Sequence, residues 1–138
     1  MLFRSLRAEV RVADCRLPGG WSNGRAFDRI LADVPCSASG IARRRPDVKW
    51  LRRASDVDAF AEQQGGIVSS LWQALAAGGK LLYVTCSVFP EENEAVIEAF
   101  LARQPGARRA ALTGDAPAQL LPQSGHDGFY FAVLEKAC

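Results

Sequence analysis

Two cysteines stand where the chain could do chemistry. Cys36 lies in "FDRILADVPCSASG", three residues after Asp33, and Cys86 lies in "GGKLLYVTCSVFPEENE". In each stretch an apolar run with the look of a buried strand stops just before the thiol. A thiolate is a carbon nucleophile, a proton acceptor and one half of a disulfide. A cysteine taken alone in an α/β protein is usually a small buried apolar residue, and Cys15 and Cys138 are read that way. Cys36 and Cys86 differ in their flanks. Pro35 and Ser37 border one, Thr85 and Ser87 the other, so bends and hydroxyls surround each thiol. Asp33 is either a carboxylate of the same site or a loop cap.

These groups need elements to position them. Alternation in "EVRVADC" predicts a short strand ending near Asp14, and "FDRILAD" predicts a second. A helix is predicted from a Ser55 N-cap, with Asp56 and Asp58 in its first turn and apolar residues at Val57, Phe60, Ala61, Ile67, Val68, Leu71, Trp72 and Leu75. Gly65-Gly66 within it costs about 1 kcal/mol per glycine, which a close approach or a helix break would explain. Gly78-Gly79 is its expected stop, before a third strand, "KLLYVTC". A second helix is expected from Pro90 to Pro105-Gly106, with glutamates in its first turn. Residues 107–124 are poorly patterned, and "DGFYFAVLEK" reads as a closing strand. The fold class is α/β, a Rossmann-like sheet incomplete on its N-terminal side. "PGG" at 18–20 fits neither the spacing nor the context of a glycine-rich nucleotide turn. Residues 1–138 are therefore read as a single domain, the C-terminal part of a larger enzyme. In such sheets ligands sit beyond the carboxyl ends of the strands, so Asp14, Asp33, Cys36 and Cys86 are expected along one rim.

Bulk properties narrow the class. The chain has 138 residues, enough for one domain with a core, and 49% apolar content argues against disorder. It has no run of eighteen apolar residues, and arginines interrupt the N-terminus where a signal peptide needs an apolar core, so a cytoplasmic protein without membrane attachment is expected. Four dispersed cysteines and one histidine, His126, make a poor zinc set, and no metal is expected. Net charge is +2, but "RRRPDVKWLRR" from Arg43 to Arg53 carries six basic residues and one acid. That leaves the remainder net acidic, so an anionic partner is expected to bind locally.

Together, "DVPCSASGIARRRPDVKWLRR" and "YVTCSVFPEENE" resemble the Asp-x-Pro-Cys and Thr-Cys-Ser motifs of the RNA cytosine-5 methyltransferases of the Nop2/Sun class. The wording is most similar to the bacterial Sun-type members that methylate small-subunit ribosomal RNA. The resemblance runs from "VADCR" to "DGFYFA". It implies S-adenosylmethionine as cofactor and small-subunit ribosomal RNA as partner, with Cys86 as the thiolate that attacks C6 of cytosine and Cys36 assisting release. It implies Asp33 at the polar edge of the base and near the methionine moiety of the cofactor. Asp14 matches the acid that contacts the adenine side, or is a solvated strand-end aspartate. Beside that site, Arg43, Arg44, Arg45, Lys49, Arg52 and Arg53 are expected to neutralise phosphates. Gln64 stands at the place of a family glutamine but reads as a helix-surface residue, Asp127-Gly128 is a family motif or a turn, and Trp21, Trp72 and the "FYF" run are expected to pack. Two rivals remain: an RNA-binding module that lacks the cofactor loop, and a thiol redox protein using Cys36 and Cys86.

Overall fold

The computed structural model describes residues 8–112, 114 and 116–138. In chain order the elements are β1 (Phe27–Asp33), a short helix α1 (Val48–Leu51), α2 (Ala54–Gln73), β2 (Leu75–Thr85), α3 (Glu94–Arg103), β3 (Ala107–Ala110), β4 (Gln119–Leu120) and β5 (Phe129–Lys136). The sheet runs β1-β2-β5-β3, with β4 also on β5. β1 and β2 are parallel, joined through α2, whereas β5 is antiparallel to β2 and takes β3 and β4 antiparallel on its other side.

Period-two patterning decides which face is buried. Along β2, Leu81 and Tyr83 point inward and Leu82 and Val84 are only partly covered, and in β5 Tyr130, Ala132 and Leu134 point inward. Against that inner face α2 lays Ile67, Val68, Leu71 and Trp72, and α3 lays Val96, Ile97 and Phe100. The helical spacing in "IVSSLW" and "AVIEAF" puts those residues on one stripe of each helix. Trp72 meets Phe100 edge-on with centroids 5.2 Å apart, and Trp21 stacks on Phe27 at 6.0 Å, so both tryptophans are packing residues.

Several elements differ from the sequence expectations, each for a local reason. Residues 9–14 form no strand, and Val10 and Val12 are fully exposed. Alternation suits a strand only when a neighbour supplies hydrogen bonds, and no described strand pairs with this segment. The N-cap of α2 is Arg53 and not Ser55, because the Asp56 carboxylate accepts the Arg53 N–H at 2.9 Å. Gly65 and Gly66 lie within an unbroken helix, with Gly66 facing the Arg16 side chain. That helix ends before Ala74, and Gly78-Gly79 belong to β2, where Gly78 at φ +70° accompanies a register shift between the Phe27–Leu75 and Arg29–Lys80 pairs. Pro90 opens a separate 3-10 turn, Pro90–Glu92, and α3 starts only at Glu94. Between them Asn93 leaves the helical path, its side chain bonded to Thr85, Ser87 and Gln119. β3 and β4 are short strands carried by β5, too brief to show a pattern of their own.

Leu81 and Leu134 face each other across β2 and β5, and both are fully buried. Leu134→Ala is expected to cost about 2–5 kcal/mol. Urea unfolding should show a lower midpoint with an unchanged slope.

Candidate active site

The site begins with two parallel strands in register. Asp33 pairs with Val84, so β1 and β2 end at the same rim. Val34 adds one more ladder bond, to the Val84 carbonyl at 3.2 Å, before Pro35, which has no N–H to continue it. The chain turns there and delivers Cys36, while β2 ends at Thr85 and delivers Cys86. Their Sγ atoms are 3.4 Å apart. Cys36 is buried, Cys86 half-buried and Asp33 exposed at the mouth.

Backbone contacts hold the loop after Cys36. Ala38 adopts the left-handed conformation, φ 62°, unusual for a residue with a Cβ, and its N–H reaches the Cys36 thiol. Gly40 donates to the Cys86 carbonyl at 2.9 Å and accepts from Gly128 N–H at 2.8 Å, stitching the two cysteine loops and the β5 entry together. A Cβ on Gly40 would lie 2.5 Å from the Gly128 carbonyl oxygen and 2.8 Å from that of Cys86, so only glycine permits the approach.

Glu92, completely buried, ties the loops from below. Its carboxylate accepts from Ser37 N–H at 2.7 Å and from Ser87 Oγ at 2.6 Å, the residues that directly follow the two cysteines. Gln64 is also completely buried and not on the helix surface as its place in α2 suggested. It donates from Nε2 to the Pro35 carbonyl at 2.9 Å and to Glu92 at 3.4 Å. Ser37, Ser39 and Ser87 hydroxyls complete the cluster at 3.2–3.3 Å. Glu92 is the residue that the sequence reading missed, since "PEENE" looks like a helix's first turn. The signal that could have found it is the serine after each cysteine, two donors that need an acceptor once buried.

Electrostatics separate the thiols. The hydrogen bond from Cys86, helped by the N–H groups of Ala38 and Cys86 and opposed by burial, holds the Cys36 thiol down to about 7. The same bond, burial and the nearby Cys36 and Asp33 charges push the Cys86 thiol up. Above about 7 the pair therefore shares one proton and one negative charge, which in the free chain rests on Cys36.

The structure brings Asp33, Cys36 and Cys86 together but leaves Asp14 outside this network. Asp14 is exposed in the irregular segment before β1, and its carboxylate is forked by Arg16, Nη2 to Oδ2 at 2.7 Å. That guanidinium holds the carboxyl at about 2. Asp127 is buried and receives Arg44 Nε at 2.5 Å and Arg43 Nη2 at 3.3 Å. It is thus a counterion for the basic loop, and His126 beside it is exposed. Arg45 pairs with Asp47 at 3.3 Å, and Arg52 donates to the Ser37 carbonyl at 3.0 Å while lying over the Phe60 ring. Lys49 and Arg53 have no side-chain partner among the described residues. All six basic side chains remain exposed. No group of three or more metal-ligating side chains occurs among the described residues, and no described helix is long and apolar enough to cross a membrane.

A family model described as 16S rRNA methyltransferase RsmB/F matches residues 3–135. The chain belongs to this family. Its curated relatives include ribosomal RNA small subunit methyltransferase B of Vibrio cholerae, 52% identical over 95% of this chain, and that of Pseudomonas putida, 50% identical over 95%. The chain spans 31% and 32% of those two proteins, about a third of their length. Solved structures with the same fold include PH0851, with TM-score 0.75 and 32% identity over 79% of this chain and 26% of that one. NSun6 from Pyrococcus horikoshii with SFG has TM-score 0.77 and 26% identity over 94% of this chain and 34% of that one. The Rossmann-like methyltransferase architecture of this chain is thus shared with similar proteins of known structure.

Two outcomes are expected. Glu92→Ala should lower stability by roughly 1–3 kcal/mol for each buried donor left unmatched, with Glu92→Gln losing less, both read by denaturant unfolding. Thiolate absorbance should appear in a step centred at about 7, vanish in Cys36→Ser, and move to higher pH in Cys86→Ala, which removes the largest stabilising contact.

Proposed function

We propose that this chain is the thiol-bearing part of a methyltransferase that modifies C5 of cytosine in small-subunit ribosomal RNA through a covalent adduct at C6. The observation that carries the reading is the pair of thiols 3.4 Å apart at the ends of adjacent parallel strands, beside the Asp33 carboxylate. Curated relatives at about half identity carry names that specify small-subunit ribosomal RNA. An RNA substrate would place this reaction in the cytoplasm.

C5 of cytosine is too weak a carbon nucleophile to take a methyl group unaided, and a thiolate bonded at C6 turns C5 into an enamine-like centre. Cys86, the more accessible thiol, passes its proton to Cys36 across the short sulfur contact and bonds to C6. Asp33, exposed at the mouth, faces the polar edge of the base and favours a proton on N3 as charge builds there. Cys36 then loses that proton to solvent, with the N–H groups of Ala38 and Cys86 left to stabilise its thiolate. Once C5 carries its new group, Cys36 takes the C5 proton, the C5–C6 double bond re-forms, the C6–sulfur bond breaks to return Cys86 as thiolate, and the N3 proton leaves to solvent.

S-adenosylmethionine is the proposed donor and supplies an electrophilic methyl group when bound. Asp33 fits its methionine side. The described residues make no full cradle for it: they contain no glycine-rich turn, and Arg16 already satisfies Asp14. The proposed domain is accordingly part of a larger catalytic unit, and an RNA-binding module is the second reading.

The decisive experiment is transfer of a labelled methyl group to small-subunit ribosomal RNA. Label in 5-methylcytosine should vanish with Cys86→Ala, whereas Cys36→Ala should accumulate an RNA–protein adduct that survives denaturation. RNA binding without transfer by the wild-type chain, even when the portions of a relative outside the matched segment are supplied in trans, would favour the module.

A further inference from the structure

The basic segment is not only a field of charge. Among its six cations, Arg43 and Arg44 are held by Asp127, Arg45 by Asp47, and Arg52 by the Ser37 carbonyl. Those bonds fix α1 against the catalytic loop, and Val48 is buried to anchor it. A cavity of about 260 Å³ lies between the two, lined by Ala38 and Ile41 from the loop side and by Val48 and Leu51 from α1. The next α1 residue, Trp50, points away from the protein at 87% exposure, while Trp72 is buried and Trp21 half-buried. An indole left in water on a braced turn, between Lys49 and Arg53, offers a flat π-face beside two cations, a pairing that suits an occupant with a flat face and negative charge.

We propose that Trp50 is a stacking platform for an unpaired base of single-stranded RNA flanking the target nucleotide, with Lys49 and Arg53 taking the adjoining phosphates. This inference rests on the RNA reading above and adds a residue and a contact to it. Charge complementarity selects the occupant: the segment from Arg43 to Arg53 is strongly basic while the rest of the chain is net acidic. Every base offers a π-face, so the contact holds a strand without reading its sequence. A base drawn out of a stack for chemistry leaves its neighbours unstacked, and an exposed indole beside the catalytic loop compensates one of them. Lys49 and Arg53 are the two cations of the segment without an internal partner, so binding phosphate there breaks no contact of the fold.

The test is binding of the full chain to oligocytidylate and to an abasic oligomer of the same length, followed by tryptophan fluorescence. The wild-type chain should bind oligocytidylate with quenching. Trp50→Ala should bind it about 5- to 150-fold more weakly without changing the salt slope, since no phosphate contact is lost. Trp50→Phe should restore most of the affinity, and the abasic oligomer should not distinguish wild type from Trp50→Ala. Lys49→Ala should instead reduce the salt slope. Equal affinity of wild type and Trp50→Ala for oligocytidylate would overturn the stacking role and leave the RNA reading standing. No binding by the wild-type chain would overturn both. Unchanged RNA binding with altered self-association in Trp50→Ala would give the indole to a protein interface and overturn the proposal.

Discussion

The arrangement depends on one buried carboxylate. Glu92 has no solvent contact, and its two oxygens accept from Ser37 and Ser87, each one bond removed from a reactive cysteine. A charge in that position is costly unless every lone pair is occupied. Ser37 N–H, Ser87 Oγ and Gln64 Nε2 supply three such donors and tie the two loops to one carboxylate. The sulfur–sulfur distance is thus set from beneath, by a residue that touches neither thiol.

Charge is used in two ways around this body. Asp127 is buried and anionic at the start of β5, and it draws two arginines inward by their heads while leaving their flanks exposed. The basic loop is thereby shaped before any ligand arrives. The contact of Gly128 with Gly40, next along the chain from Asp127, passes that shape to the cysteine loop. Electrostatics and backbone packing act here on the same few residues, so the basic loop is braced from both ends.

Much of this was legible in the sequence where a pattern had a single physical meaning. The strands at 27–33 and 129–136 and the helix through Trp72 follow from period, because apolar faces of those lengths bury in few ways. The two cysteine motifs carried the site, since bends and hydroxyls beside a thiol are poor packing. What failed was context. "EVRVADC" alternates as a strand does, yet strands are made by neighbours and no described segment supplies one. Gly78-Gly79 resembles a helix stop, and only the bulge in β2 gives the pair its use. Gln64 and Glu92 look like surface residues because long polar side chains usually are. Their burial depends on loops that arrive from distant parts of the chain.

β1 is bonded to β2 along one side only among the described residues, and Leu31 on it is 68% exposed. A row of unspent N–H and C=O groups beside an apolar side chain is a template for any extended polypeptide. Asp28 and Arg29 guard the entry end of the strand and Asp33 its far end, which leaves Leu31 as the exposed apolar residue between them. Colloidal behaviour and the candidate site therefore converge on one strand: growth of the sheet from that edge would begin beside Asp33 and bury the mouth of the site without moving either thiol.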